Sequence, residues 1–384
     1  MIIRNGLLLG EDFIFRKENI VFTQKILEIG SCCDNSCKEE FDATGCYVIP
    51  GLVDTHMHSA VGEAFIEAER DTARNICAFE AACGTTSLIP TLGGASCEKT
   101  IRMICYLVAE AKKINRDDRA KCAAIRGIHL EGPFFSKKYC GSFLPEDFRE
   151  VSKAEMESYM EVGKGMLRIV SLAPELPGAL LLTRLLRQNK ITVSAGHSGA
   201  SFKEMQQAVQ AGVLRTTHTF NAMAPLHHRS PGILGAALMQ DEVYCELICD
   251  LFHVHPEIIR MVYRLKGPDR IIAISDSEIG TGLRDGKYIT NGRRITVKNG
   301  ETYAEDGSIY GSSVTLLQCV RNLVKIGIPL SEAVKMASFN PAVSSGIADE
   351  TGSLSCGKTA DILVLDPDLR LKAVFLRGNL ISRI

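Results

Sequence analysis

Four histidines and two carboxylates carry the chemistry legible in this 384-residue chain: His56, His58, Glu131, His197, His218 and Asp276. Imidazole nitrogens and carboxylate oxygens make a hard-to-borderline ligand field, suited to zinc, iron or manganese in a hydrolytic site. In His56-Met57-His58 the period-two spacing sets both imidazoles on one side of an extended segment, so both can grip one ion. A carboxylate beside such an ion can take a proton from an attacking water and return it to a leaving nitrogen. The sequence offers that role to Asp276, in Ile274-Ser275-Asp276-Ser277. Taken singly, each histidine reads as a packed or surface residue and Asp276 as a helix cap. Their common position sets them apart, because each follows a run that reads as a β-strand.

Eight such runs alternate with helical patterns, near 52–55, 86–90, 125–130, 167–172, 191–195, 215–217, 244–249 and 271–275. Strand-helix alternation predicts parallel strands joined by right-handed crossovers, and eight units predict a closed (β/α)8 TIM-like barrel. The helical stretches include 98–113, with apolar residues at helical spacing, and 201–211, opened by a serine cap before Lys203-Glu204. His56 and His58 follow the first strand, Glu131 the third, His197 the fifth, His218 the sixth and Asp276 the eighth. In a barrel those C-terminal ends converge on one mouth, so residues far apart in sequence meet there. The flanks read differently. Short strands at 2–9, 13–22, 26–29 and 47–49, and again at 361–365 and 371–376, are separated by turn residues. They predict a small β-sandwich domain built from both chain ends: residues 1–50 and 348–384 around a metal-dependent hydrolase barrel at 51–347.

Composition narrows the partners. Lys and Arg number 44 against 45 Asp and Glu, a net charge of −1, so no basic field exists to attract nucleic acid. No stretch approaches the roughly 18 apolar residues needed to span a bilayer, and the first fifteen residues lack the cleavage signature of a secretory signal. The expectation is a soluble cytoplasmic protein with a small-molecule substrate, no nucleic acid and no membrane. The 14 cysteines are scattered through apolar segments and read as reduced thiols. Cys32, Cys33 and Cys37 lack a second Cys or His pair at zinc-site spacing and read as loop residues.

Several longer blocks are more specific. Val48-Ile-Pro-Gly-Leu-Val-Asp-Thr-His-Met-His58, Gly127-Ile-His-Leu-Glu-Gly-Pro133, Ser194-Ala-Gly-His-Ser198, Thr217-His-Thr-Phe-Asn-Ala-Met223, Arg229-Ser-Pro-Gly232, Gly311-Ser-Ser313 and Asn340-Pro-Ala342 run in order along the chain. With the closing Gly357–Leu365 block, this pattern resembles the N-acetylglucosamine-6-phosphate deacetylase family of the amidohydrolase superfamily. The resemblance implies hydrolysis of the acetamide on an N-acetylhexosamine 6-phosphate, giving acetate and the amino-sugar phosphate. It implies that Glu131, His197 and His218 hold the principal divalent metal, that His56 and His58 can complete a second site, and that Asp276 is the acid/base. Asn221, the backbone of Ala222, Arg229 and His253 resemble the phosphate-holding set. Arg229 is expected to reach into the neighbouring subunit of a homodimer. A guanidinium matches phosphate oxygens in bidentate fashion, so a locally held anion needs no basic surface.

The departures bear on the substrate. Phe143 stands in Gly141-Ser142-Phe143, where the family has a histidine that contacts the acyl carbonyl, and a phenyl ring cannot donate a hydrogen bond. Leu251 replaces a glycine in Asp250-Leu-Phe-His253, and Ser277 and Tyr310 replace smaller apolar residues. Two alternatives therefore stand beside the deacetylase: a related amidohydrolase for another N-acyl or cyclic amide, and a non-catalytic metal protein that binds a sugar phosphate. Of the remaining histidines, His129 reads as an orienting strand residue and His255 as structural. His227 and His228 lie in a loop where substrate contact is open.

Overall fold

The computed structural model describes the chain except residues 32–38, 118–120, 291–292, 299–300, 306, 308–309 and 384. Its centre is a seven-stranded parallel sheet in the order Thr91–Gly93, Ile128–Glu131, Leu167–Leu172, Thr192–Ala195, Val213–Thr216, Tyr244–Ile248, Ile271–Ile274. A second parallel sheet pairs Thr85–Leu88 with Leu52–Asp54 on one side and Ala124–Ile125 on the other. The expected strand at 86–90 thus ends at Leu88 and is followed beyond Pro90 by Thr91–Gly93, and the one at 125–130 is broken in two, so that each stretch serves both sheets. Pro90 interrupts the first, having no N–H for a ladder. Gly127 sits in the break of the second, where a Cβ would lie 2.2 Å from Arg168 Cγ. Beyond the strand ends, Asp276 N–H donates to the His56 carbonyl at 3.0 Å, and the His58 and Ser59 N–H groups donate to the Ser277 carbonyl at 3.0 and 3.1 Å. The segments after the first and last strands therefore lie side by side.

Helices cover the sheets with one apolar face each. In Cys97–Arg116, Ser96 caps the N-terminus by accepting from Lys99 N–H, and Thr100, Ile104, Leu107, Ala111 and Ile114 are buried at spacings of three and four. Phe202–Ala211 opens on a full capping box between Ser201 and Glu204. Side chains such as Leu107, Leu130, Leu172 and Ile259 join one contiguous core, each contributing about 1.5–3 kcal/mol of apolar burial.

The chain ends share a separate core. A six-stranded sheet runs Asn379–Arg383, Leu371–Leu376, Ile362–Leu365, Tyr47–Pro50, Leu7–Leu9, Phe15–Lys17, and a four-stranded sheet contains Ile26–Gly30, Asn19–Phe22, Ile2–Arg4, Glu40–Asp42. Leu8, Phe22, Val48, Ile362 and Phe375 are buried together. The expected strand at 2–9 is split between the two sheets at Asn5, whose φ of +63° turns the chain before Gly6. The run at 13–22 likewise divides into Phe15–Lys17 and Asn19–Phe22.

A three-stranded antiparallel sheet, Gly286–Thr290, Arg293–Lys298 and Glu301–Ala304, was not anticipated. Its sequence is rich in Lys, Arg and Thr, and only Ile295 and Val297 give an alternating apolar signal, with Ile295 buried against Ala64 and Ile279. Among the described residues no helix is long and apolar enough to cross a membrane, and the described cysteines, Cys77, Cys249 and Cys319 among them, are free thiols. Cys32, Cys33 and Cys37 lie outside the described residues.

Candidate metal centre

Each of the six residues expected at strand ends lies within one cluster at or just beyond the C-terminal ends of the parallel strands. His197, His218 and Asp276 sit just past their strands with φ of +46°, +27° and +47°. That left-handed conformation is one that His and Asp tolerate better than most residues, and it turns the chain sharply where the strand ends. Glu131 is the last residue of Ile128–Glu131 and is 3% exposed.

The ligand atoms form two groups, Glu131 with His197 and His218, and His56 with His58 and Asp276, the atoms of each lying within 4.8 Å of one another. Glu131 joins them. Its Oε1 is 3.2 Å from His197 Nε2, 2.9 Å from His218 Nε2 and 3.4 Å from His56 Nε2, while Oε2 is 3.0 Å from His58 Nε2. Asp276 Oδ1 is 3.4 Å from His56 Nε2 and 3.5 Å from His58 Nε2.

The outer nitrogens fix which inner ones carry lone pairs. His197 Nδ1–H donates to the Tyr139 carbonyl at 2.8 Å, and His56 Nδ1–H donates to Glu246 Oε2 at 3.0 Å. Both rings therefore present Nε2 as a ligand atom, and His56 Nε2 is buried without a hydrogen-bond partner. Burial opposes charge on Glu131, but the neighbouring His56, His197 and His218 rings hold its carboxyl well below the ordinary range. For His58 burial again opposes charge, yet Asp276 and Glu131 push the ring up to about 10. The carboxylates that favour a proton on His56 and His58 equally favour a divalent cation beside them, and the neutral His197 ring offers a lone pair, so the donor set fits a metal.

Sequence reasoning missed the support beneath. Glu246, fully buried, also accepts from His218 N–H at 3.1 Å and forms an ion pair with Arg215, itself fully buried. Arg215 in turn donates to Thr55 Oγ1 at 2.9 Å and Ser344 Oγ at 3.2 Å. Burial would raise the Glu246 pKa, but Arg215 and His56 lower it to about 2. The available signal was a lone acid and a lone base inside neighbouring apolar strands. His129 orients as expected: it is buried, with Nε2 2.8 Å from Ser171 Oγ and its ring edge against His56.

Above the two groups opens a cavity of about 220 Å³. Asn221, Ala222 and His253 stand on its wall. Among the described residues nothing takes up the Ala222 N–H, and this residue has a φ of +50°. His253 Nδ1–H donates to Asp250 Oδ2 at 2.6 Å. Burial opposes charge on this ring, but Asp250 outweighs it and pushes the pKa up, which suits an anion. Leu251 has a φ of +67°, the left-handed geometry that glycine adopts freely. Phe143 forms part of the cavity wall, 5.4 Å from the His197 ring and 6.3 Å from that of His58. Arg229 does not join this site. It is exposed, 2.9 Å from His228 Nε2, in a loop that also exposes Leu226 and His227. His255 caps the helix Pro256–Lys266 by accepting from Glu257 N–H.

The amidohydrolase family model matches residues 47–381. An N-acetylglucosamine-6-phosphate deacetylase from Vibrio furnissii is 34% identical over 335 residues, 87% of this chain and 82% of that protein. An N-acetylgalactosamine-6-phosphate deacetylase from Escherichia coli O157:H7 is 34% identical over 334 residues, 87% of each chain. A mutant N-acetyl-D-glucosamine-6-phosphate deacetylase from Mycobacterium smegmatis, solved in complex with N-acetyl-D-glucosamine 6-phosphate, superimposes with a TM-score of 0.91. It is 31% identical and covers 100% of this chain and 99% of its own.

Proposed function

The chain belongs to the amidohydrolase family, and from that premise we propose that it hydrolyses the N-acetyl group of N-acetylglucosamine 6-phosphate or a similar N-acetylhexosamine 6-phosphate. The observation that carries this reading is the meeting of Glu131, shared by two ligand groups, with Asp276 beneath a cavity walled by Asn221, Ala222 and His253. Relatives named for the gluco and the galacto substrate match about equally.

Glu131, His197 and His218 would hold the principal zinc, iron or manganese ion, and His56 with His58 a second. Bound there, such an ion supplies Lewis acidity toward the acyl oxygen and lowers the pKa of a water. Asp276, held ionised against burial by His56 and His58, accepts the proton of the attacking water and passes it to the departing nitrogen. His253, the Asn221 amide and the Ala222 N–H grip the phosphate, and Arg229 of a second subunit completes the grip in a homodimer. The two parallel sheets act as one closed eight-stranded barrel at 51–347. The hydrogen bonds between 56–59 and 276–277 support closure at the mouth. Residues 1–50 and 348–384 form the companion β-sandwich, a division supported by their separate core. Free, buried thiols fit a reducing cytoplasm.

The test is acetate release from N-acetylglucosamine 6-phosphate and N-acetylgalactosamine 6-phosphate by metal-reconstituted protein, with Asp276→Asn as control. Turnover that collapses in the control establishes the reaction and names the sugar. No release by fully metallated protein refutes it. Phe143 favours a second reading, an amidohydrolase of the same mechanism acting on a different N-acyl group.

A further inference from the structure

The cavity over the metal-ligand groups does not end at Phe143. A second cavity, of about 180 Å³, adjoins it and shares His58, Ser142, Phe143 and Glu278 as lining. At roughly 30 Å³ per water, that is far more room than an acetyl methyl needs. Asn221, Ala222 and His253 line only the first cavity, as do Glu131, His197, His218 and Asp276, whereas His58 lines both, so an acyl group held on the His58 side, away from Asn221 and His253, faces the second.

The dividing wall is built. The Phe143 ring occupies a seat over Gly93 and Gly94, where a Cβ at either position would lie 2.8 Å from the ring. Glu278 is admitted by Gly311, at which a Cβ would lie 2.2 Å from Glu278 Cγ. Ser59 Oγ–H donates to Glu278 Oε2 at 2.7 Å, and among the described residues Oε1 accepts no hydrogen bond. The second cavity is also lined by Glu67 and Asp147, and among the described residues no lysine or arginine lines it. Glu67 is paired with Lys99. The acyl end of the site thus has an apolar ring in place of a donor, a carboxylate with a free oxygen, and unused volume.

We propose that Phe143 and Glu278 select the acyl group, and that the preferred one is a small aminoacyl group whose ammonium is met by Glu278. This rests on the deacylase reading above and changes only what leaves with the carbonyl. Water oxygen bonds to the acyl carbon, the C–N bond breaks, and its electron pair stays on nitrogen, which takes a proton. The products are an amino acid and the hexosamine 6-phosphate.

The experiment compares kcat/KM of the metallated enzyme on N-acetyl-, N-propionyl-, N-glycolyl- and N-glycyl-glucosamine 6-phosphate. The N-glycyl compound is expected to exceed both propionyl and glycolyl by about 10- to 100-fold, the effect of one charge-assisted hydrogen bond. In Glu278→Gln that ratio falls to near unity. Glu278→Met, which keeps the packing against Gly311, serves should the first variant not fold. Acetyl turnover with no glycyl preference overturns this proposal and leaves the deacetylase reading standing. Equal glycolyl and glycyl rates overturn the role of charge. Turnover of none of the four overturns both.

Discussion

Replacing Glu246 with leucine should damage stability and metal binding together, because one carboxylate serves both. The substitution leaves Arg215, with no exposed surface, beside an apolar side chain, and it removes the acceptor for His56 Nδ1–H and His218 N–H. Breaking a buried ion pair from one side costs about 3–5 kcal/mol. For a chain of this length that amounts to a melting-point loss of about 4–6 °C. His56 then loses the bond that fixes its tautomer, and metal affinity should fall about 10- to 100-fold. The assay is thermal unfolding of chelator-treated protein, followed by metal titration against a competing dye. The double variant Arg215→Met with Glu246→Leu should regain most of the stability, since no charge is left unpaired, without regaining metal affinity. Glu246→Leu melting within about 1 °C of the parent, or binding metal equally well, would show that the pair supports neither.

Other perturbations separate the remaining roles. Glu80 is buried, and burial together with Asp54 pushes its pKa up to about 8. A carboxyl raised on folding contributes stability that is full below its unfolded pKa, near 4.5, and is lost as pH rises through 8. Glu80→Gln should therefore match the parent near pH 4.5 and exceed it by up to about 5 kcal/mol at pH 8.5 in denaturant titrations. Parallel stability curves for the two proteins would refute this. Asp276→Asn should lower kcat by about 100-fold or more, measured with saturating metal. Glu131→Ala should lose metal on dialysis, read by elemental analysis, because it joins both ligand groups. If Arg229 acts across a dimer, mixing Arg229→Ala with Asp276→Asn subunits should restore about a quarter of parental activity from two impaired proteins. No recovery after subunit exchange argues against a shared site.

The strand-end pattern carried most of what could be read directly. Alternation of apolar runs with capped helices is a local property, and the 98–113 helix, the Ser201 cap and the 167–172 run appear in the structure as the sequence implies. The breaks at Asn5 and Pro90 were less legible, since what decides them is the sheet each half joins. The sheet at 286–304 carries charged and hydroxyl residues on its open face, leaving too little apolar alternation to announce strands.

The sequence by itself determined the candidate ligand types, their order and their position after strands, because those depend on side-chain chemistry and short-range periodicity. Only the tertiary structure decided that Glu131 joins both groups, that Glu246, 190 residues from His56, fixes its ring, and that Glu278, 219 residues from Ser59, stands beside Phe143. These contacts follow from strand register and from where the first and last strands meet. A single sequence carries no local signal for either.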